Sequence, residues 1–151
     1  MADAAEIPPR ERAIALLARR EYSRAELEQR LAAKGVESDE IAATLDTLAA
    51  EGLQSDTRFA EIFVRSRVQL GHGPVRIRGD LAQRGIDDAL AALAFEAEAP
   101  DWQDLACQAL AKRFSGPGST PRERAKRERF LAGRGFGFDQ VRHAMRHAWE
   151  D

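Results

Sequence analysis

LAAKGV (residues 31–36), LAQRGI (81–86) and LAGRGF (131–136) are one pattern written three times, each copy fifty residues after the last. Every copy has a leucine, a base three residues on, a glycine and then an apolar side chain. A helix end has this make-up. The leucine (Leu31, Leu81, Leu131) packs inward. The base (Lys34, Arg84, Arg134) sits at the negative end of the helix dipole. The glycine (Gly35, Gly85, Gly135) takes the left-handed conformation that closes a helix. The apolar residue (Val36, Ile86, Phe136) folds back on the last turn. Ser38 or Asp39, Asp87 and Asp139 then open a further helix.

Helix starts are legible around these ends. Ser23 with Glu26 is a capping box. Thr120 with Glu123 is another, with Pro121 at the first helical position. Gly73-Pro74 opens the matching helix of the middle copy. Each copy therefore reads as three short helices, expected over 11–20, 23–34 and 39–51; 55–69, 74–84 and 87–95; and 101–114, 120–133 and 138–150. SGPGST (115–120) reads as a loop and EAEAP (96–100) as a linker. The domain reading is a flexible tail over 1–10 and three-helix repeats over 11–53, 54–97 and 98–151. Three-helix units this small bury their apolar surface by stacking on neighbours. The expected fold is all-α, an elongated tandem array of three three-helix repeats. In the middle repeat the core is expected on Phe59, Ile62, Phe63, Ile77 and Leu81, with Ser66 and Leu70 continuing the first helix's face. One residue breaks the pattern: Arg127 falls where Leu27 and Ile77 sit in the other copies. Either the register slips there or that helix is less buried.

Composition agrees. Apolar residues make up 44% and charged residues 32% of 151 residues, enough for a core. No apolar run approaches the ~18 residues of a spanning helix. MADAAEIPPRER at the start lacks the apolar stretch of a secretory signal. The lone Cys107 forms no internal disulfide and reads as a small core residue. A cytoplasmic, monomeric protein is expected.

The middle of the chain, EGLQSDTRFAEIFVRSRVQLGHGPVRIRGDL (51–81), resembles the ordered blocks of the RecX family of regulatory proteins. ARREYSRAELEQRLAAKG (18–35) and FLAGRGFGFDQV (130–141) are similar to that family's first- and third-repeat signatures, and the resemblance runs over about 12–149. Gln54, Ser55 and Asp80 depart from the usual residues; Gln54 and Ser55 are expected to alter only the helix entry. The resemblance implies no enzymatic activity and no cofactor. It implies binding in the groove of the RecA–DNA filament, with restraint of RecA's ATP hydrolysis, strand exchange and coprotease activity in DNA repair, recombination and the SOS response.

The residues offer surfaces for such partners. The chain carries a net charge of -2, yet its charge is segregated. Residues 39–56 and 87–104 are acidic and lack bases, whereas arginine gathers in 58–81 and 121–134. Guanidinium forks suit carboxylates and phosphates. The candidate partner-binding residues are Arg58, Arg65, Arg67, Arg76, Arg78, Arg84, Arg122, Arg124, Lys126, Arg127 and Arg134. Glu61 precedes Arg65 by four and is placed to pair with it. Aromatic side chains do not interleave these bases, so weak, sequence-independent DNA binding is expected.

Catalysis and metal binding have little to work with. His143 and His147 have a ligand spacing but no evident third partner, and no phosphate loop follows a strand. Trp102 and Trp149 are expected to anchor the third repeat's core. The rival reading is a sequence-specific helix-turn-helix transcription factor. It would need polar base-readers at the start of a recognition helix, and the helices after the glycine caps are acidic and alanine-rich.

Overall fold

The structure, a computed structural model, describes residues 7–150. Among these it forms nine α-helices and no strand: α1 (Pro9–Leu17), α2 (Arg24–Ala33), α3 (Ser38–Ala50), α4 (Asp56–Gln69), α5 (Pro74–Gln83), α6 (Asp88–Glu98), α7 (Trp102–Arg113), α8 (Pro121–Gly133) and α9 (Phe138–His147). Of the expected tail, residues 1–6 lie outside the described residues. Helix α1 starts earlier than expected because Pro9, with its preset φ, begins it.

The chain divides into two compact units. Among the described residues one holds 7–63 with 81–94, the other 64–80 with 95–150, so the middle repeat is shared between them.

In the first unit α1, α2 and α3 enclose Ala13, Tyr22, Leu27, Leu31, Ile41, Leu45 and Leu48. Burying one such leucine contributes roughly 1.5–3 kcal/mol. The Ser23 capping box forms as read: Ser23 Oγ accepts from the Glu26 amide at 3.1 Å, and the Ser23 amide donates to Glu26 Oε1 at 3.0 Å. The same hydroxyl donates to the carbonyl of Arg84 at 2.7 Å. Gln54 does more than shape a helix entry. It is buried, and its Nε2 donates to the Tyr22 carbonyl at 3.3 Å and to Asp56 Oδ1 at 2.9 Å. Asp56 Oδ1 also accepts from the Arg24 amide, one of α2's orphan donors, at 2.8 Å.

In the second unit α7, α8 and α9 enclose Ala106, Leu110, Leu131, Phe136, Val141 and Ala144. Trp102 and Trp149 pack against this core as expected, and the Trp149 indole donates to the Phe114 carbonyl at 2.9 Å. Cys107 is free and half-buried, its thiol raised by burial and then by Asp104.

The glycine turns hold the repeats together as well as ending helices. A Cβ on Gly85 (φ +81°) would lie 2.4 Å from Ala25 Cβ, where the start of α2 meets the turn after α5. A Cβ on Gly135 (φ +97°) would lie 2.2 Å from Arg76 Cβ, where the start of α5 meets the turn after α8. There the Gly73 amide donates to the Arg134 carbonyl at 2.8 Å and the Val75 amide to the Gly135 carbonyl at 2.9 Å. The second helices of the first two repeats thus begin on the glycine turn of the following repeat.

Several expectations are corrected. Ile62 is 39% exposed and Leu70 56%. The buried face of α4 runs through Phe59, Ala60, Phe63 and Val64 instead, a stripe one position round from the one the larger side chains suggested. The linker over 96–100 is mostly helix: α6 continues to Glu98, as alanine and glutamate favour. It stops at Ala99, which takes φ 47°, and Pro100 follows. As expected, Asp87 opens α6, accepting from the Leu90 amide, and Ser38, Asp39 and Asp139 stand in the first turns of α3 and α9. Thr120 accepts from the Glu123 amide, yet Glu123 returns the contact to hydroxyls and not to the Thr120 amide.

Candidate partner-binding surface

The candidate cations fall into two kinds, divided by what their guanidinium groups already hold. Arg58 ion-pairs with Glu21 and donates to the carbonyls of Gly52 and Leu53 at 3.1 and 3.2 Å. Arg84 lies over the Phe63 ring at 4.8 Å, with Nε 3.8 Å from Glu26. Arg127 donates to the Gly116 carbonyl at 2.7 Å and the Glu123 carbonyl at 2.9 Å and covers the Phe114 ring at 4.5 Å. These three pin loops and helix ends of their own units. Arg127 also resolves the break in the repeat. Leu131 is fully buried, so the register holds. Where the other copies bury a leucine or isoleucine, this one lays an arginine over a phenylalanine and ties down the 115–120 loop.

Arg65 is held by two bonds to Glu98, at 2.8 and 2.9 Å, and not by Glu61. The Glu98 carboxyl is drawn below its ordinary range chiefly by that bond. The partner could not be read from the local spacing because Glu98 stands on another helix.

The second kind faces outward. Arg76, Arg78, Arg122, Arg124 and Lys126 are all exposed, and none has an ion pair among the described residues. Arg78 stands 5.2 Å over Phe95, so its stem packs while its charge stays wet.

All five lie in the second unit, which also gathers Arg67, Arg76 and Arg134 around a histidine the candidate set omitted. His72 sits in the GHGP turn between α4 and α5, and its Nδ1 is buried with no hydrogen-bond partner among the described residues. Burial first, then the Arg76 and Arg67 charges, hold it below its ordinary value; Asp80 opposes them and Arg134 adds to them. A histidine between two glycines looks like loop filler. Only the approach of the α8–α9 turn makes it the centre of a basic cluster.

The His143 and His147 rings lie with centroids 4.6 Å apart, tilted by 42°, and His147 Nδ1 lies 2.8 Å from Glu150. Among the described residues no three histidine, cysteine or acidic side chains stand together as metal ligands. No described helix is long and apolar enough to cross a membrane.

Three three-helix repeats in tandem define a helical-repeat protein. Family models described as the first, second and third three-helix domains of RecX match residues 10–48, 55–94 and 100–145. The chain belongs to the RecX family. It is 65% identical over 146 residues to the regulatory protein RecX of Chromohalobacter salexigens, covering 97% of this chain and 96% of that one. It is 40% identical to the regulatory protein RecX of Stenotrophomonas maltophilia over the full length of both. The crystal structure of RecX from Lactobacillus salivarius superposes with a TM-score of 0.81 at 25% identity, over 98% of each chain.

Proposed function

We propose that this protein is a non-enzymatic regulator of RecA that binds the RecA–DNA filament in the cytoplasm and restrains it. Family membership supports the partner, and the observation that carries the surface is the set of outward, ion-pair-free cations in the second unit. Arg76, Arg78, Arg122, Arg124 and Lys126 have their charge available. A carboxylate or phosphate facing them would gain charge-assisted bonds without first breaking an internal pair. Arg58, Arg84 and Arg127 hold the fold, and Arg65 is committed to Glu98, so their contribution to binding is indirect.

The test is DNA-dependent ATP hydrolysis by RecA, titrated with the parent and with an Arg76→Glu, Arg78→Glu variant. Both positions are exposed, so helical circular dichroism should be unchanged. The variant should need at least about tenfold more protein for the same inhibition, a loss of about 1.4 kcal/mol in binding. Equal inhibition by a folded variant would remove these arginines from the surface.

A further inference from the structure

The first repeat has a basic cleft that contains none of the residues assigned to the filament surface. It opens between α1 and the end of α2 with a volume of about 330 Å³. Arg12, Arg19, Arg30 and Lys34 line it against a single acid, Glu11. Its apolar walls come from Ile7, Ala15, Leu16 and Leu31. Other arginines of this repeat are neutralised at home: Arg10 by Glu51, Arg20 by Glu26, and Arg24 by Asp46 and Glu28. The cleft cations have no ion pair among the described residues. Arg12 is placed least comfortably. Its Nη2 is shut away from solvent and has no hydrogen-bond partner among the described residues, an arrangement that disfavours the folded chain.

The third repeat carries a cleft in the same place, between α7 and the end of α8. Lys112, Arg113 and Arg134 line it, with Ala109, Phe130 and the half-exposed Leu70 as its apolar part. In the fifty-residue register Lys112 and Arg134 stand where Arg12 and Lys34 stand in the first repeat. A basic, apolar-walled cleft at the junction of first and second helices therefore recurs within this chain.

We infer that the first-repeat cleft is a docking site for an acidic segment of a protein partner that carries an aliphatic side chain among its carboxylates. Carboxylates would pair with the Arg12, Arg19, Arg30 and Lys34 charges while the aliphatic group covers Ile7, Ala15 and Leu16. Nucleic acid fits less well. The first cleft has no aromatic wall, and in the third Arg113 and Arg134 already lie over the Phe130 ring, at 6.0 and 5.1 Å, where a base would have to stack. The inference goes beyond the RecA reading, and its test uses neither RecA nor DNA filament, so the two can fail separately.

The probe is a short fluorescein-labelled peptide of alternating glutamate and leucine, with a polyglutamate peptide and a single-stranded oligonucleotide as comparisons. The alternating peptide should bind the full chain more tightly than either comparison. Calorimetry should show that Arg12→Glu, Lys34→Glu removes one equivalent of peptide. Arg12→Leu separates binding from folding: it deletes the orphaned donor, so the thermal midpoint should hold or rise while affinity at that equivalent drops about tenfold. An unchanged stoichiometry in the double variant overturns the site. So does peptide affinity that Arg12→Leu leaves intact, and equal binding of polyglutamate or the oligonucleotide overturns the assigned occupant.

Discussion

Ala99 has φ 47° with a side chain attached. An L-residue held there costs roughly 1–2 kcal/mol, and glycine would relieve that at the expense of extra unfolded-state freedom. Ala99→Gly should raise stability by about 0.5–1 kcal/mol in urea unfolding; a loss would mean that the methyl group packs. His72 gives a pH test. The folded chain holds its pKa below the ordinary 6.5, so the unfolded chain takes the proton more readily. Its contribution is complete above pH 6.5 and is lost as pH falls through the folded value. Stability should therefore decline more steeply below pH 6.5 in the parent than in His72→Gln. Parallel curves would show that neither burial nor the Arg76 and Arg67 charges hold it down.

At the scale of elements, the three glycine caps share one backbone task but meet different surroundings. Gly35, at φ +84°, has nothing within 4 Å of an added Cβ, whereas Gly135 would drive a Cβ into the backbone of Arg76. Gly35→Ala should cost about 1–2 kcal/mol from conformation alone. Gly135→Ala adds overpacking of about 1–3 kcal/mol and should loosen the start of α5. Equal costs would mean that the α5 contact yields freely. Ser23→Ala tests the matching joint in the first unit. It removes a cap and a buried bond to the Arg84 carbonyl, and about 2 kcal/mol of stability should go with them. The capping boxes and glycine ends were legible because they depend on residues three or four apart. Their second use, as seats for another repeat, was not, since Ser23 and Arg84 are far apart in the chain.

For the molecule as a whole, the proposed binding rests on charge. Duplex DNA binding should be weak, indifferent to sequence and steeply salt-dependent, each phosphate neutralised adding about −0.9 to the slope of log K on log salt. Reversing Arg122, Arg124 and Lys126 to glutamate should flatten that slope while the helical signal persists. A slope that does not change would move the DNA-facing surface off α8, and tight binding to a single sequence would favour a transcription factor.

By itself the sequence determined the class of fold, the three repeats and most helix ends, because capping chemistry and the inward leucines are local and recur at a fixed period. It also located the arginine-rich segments. Which arginines are available was settled by tertiary structure alone. Arg58 meets Glu21, Arg65 meets Glu98 and Arg127 meets the 116 carbonyl through approaches between segments. Arg76 and Arg78 are exposed and form no ion pair among the described residues. A guanidinium's partner is chosen by distance in space, and the distance along the chain carries little of that information.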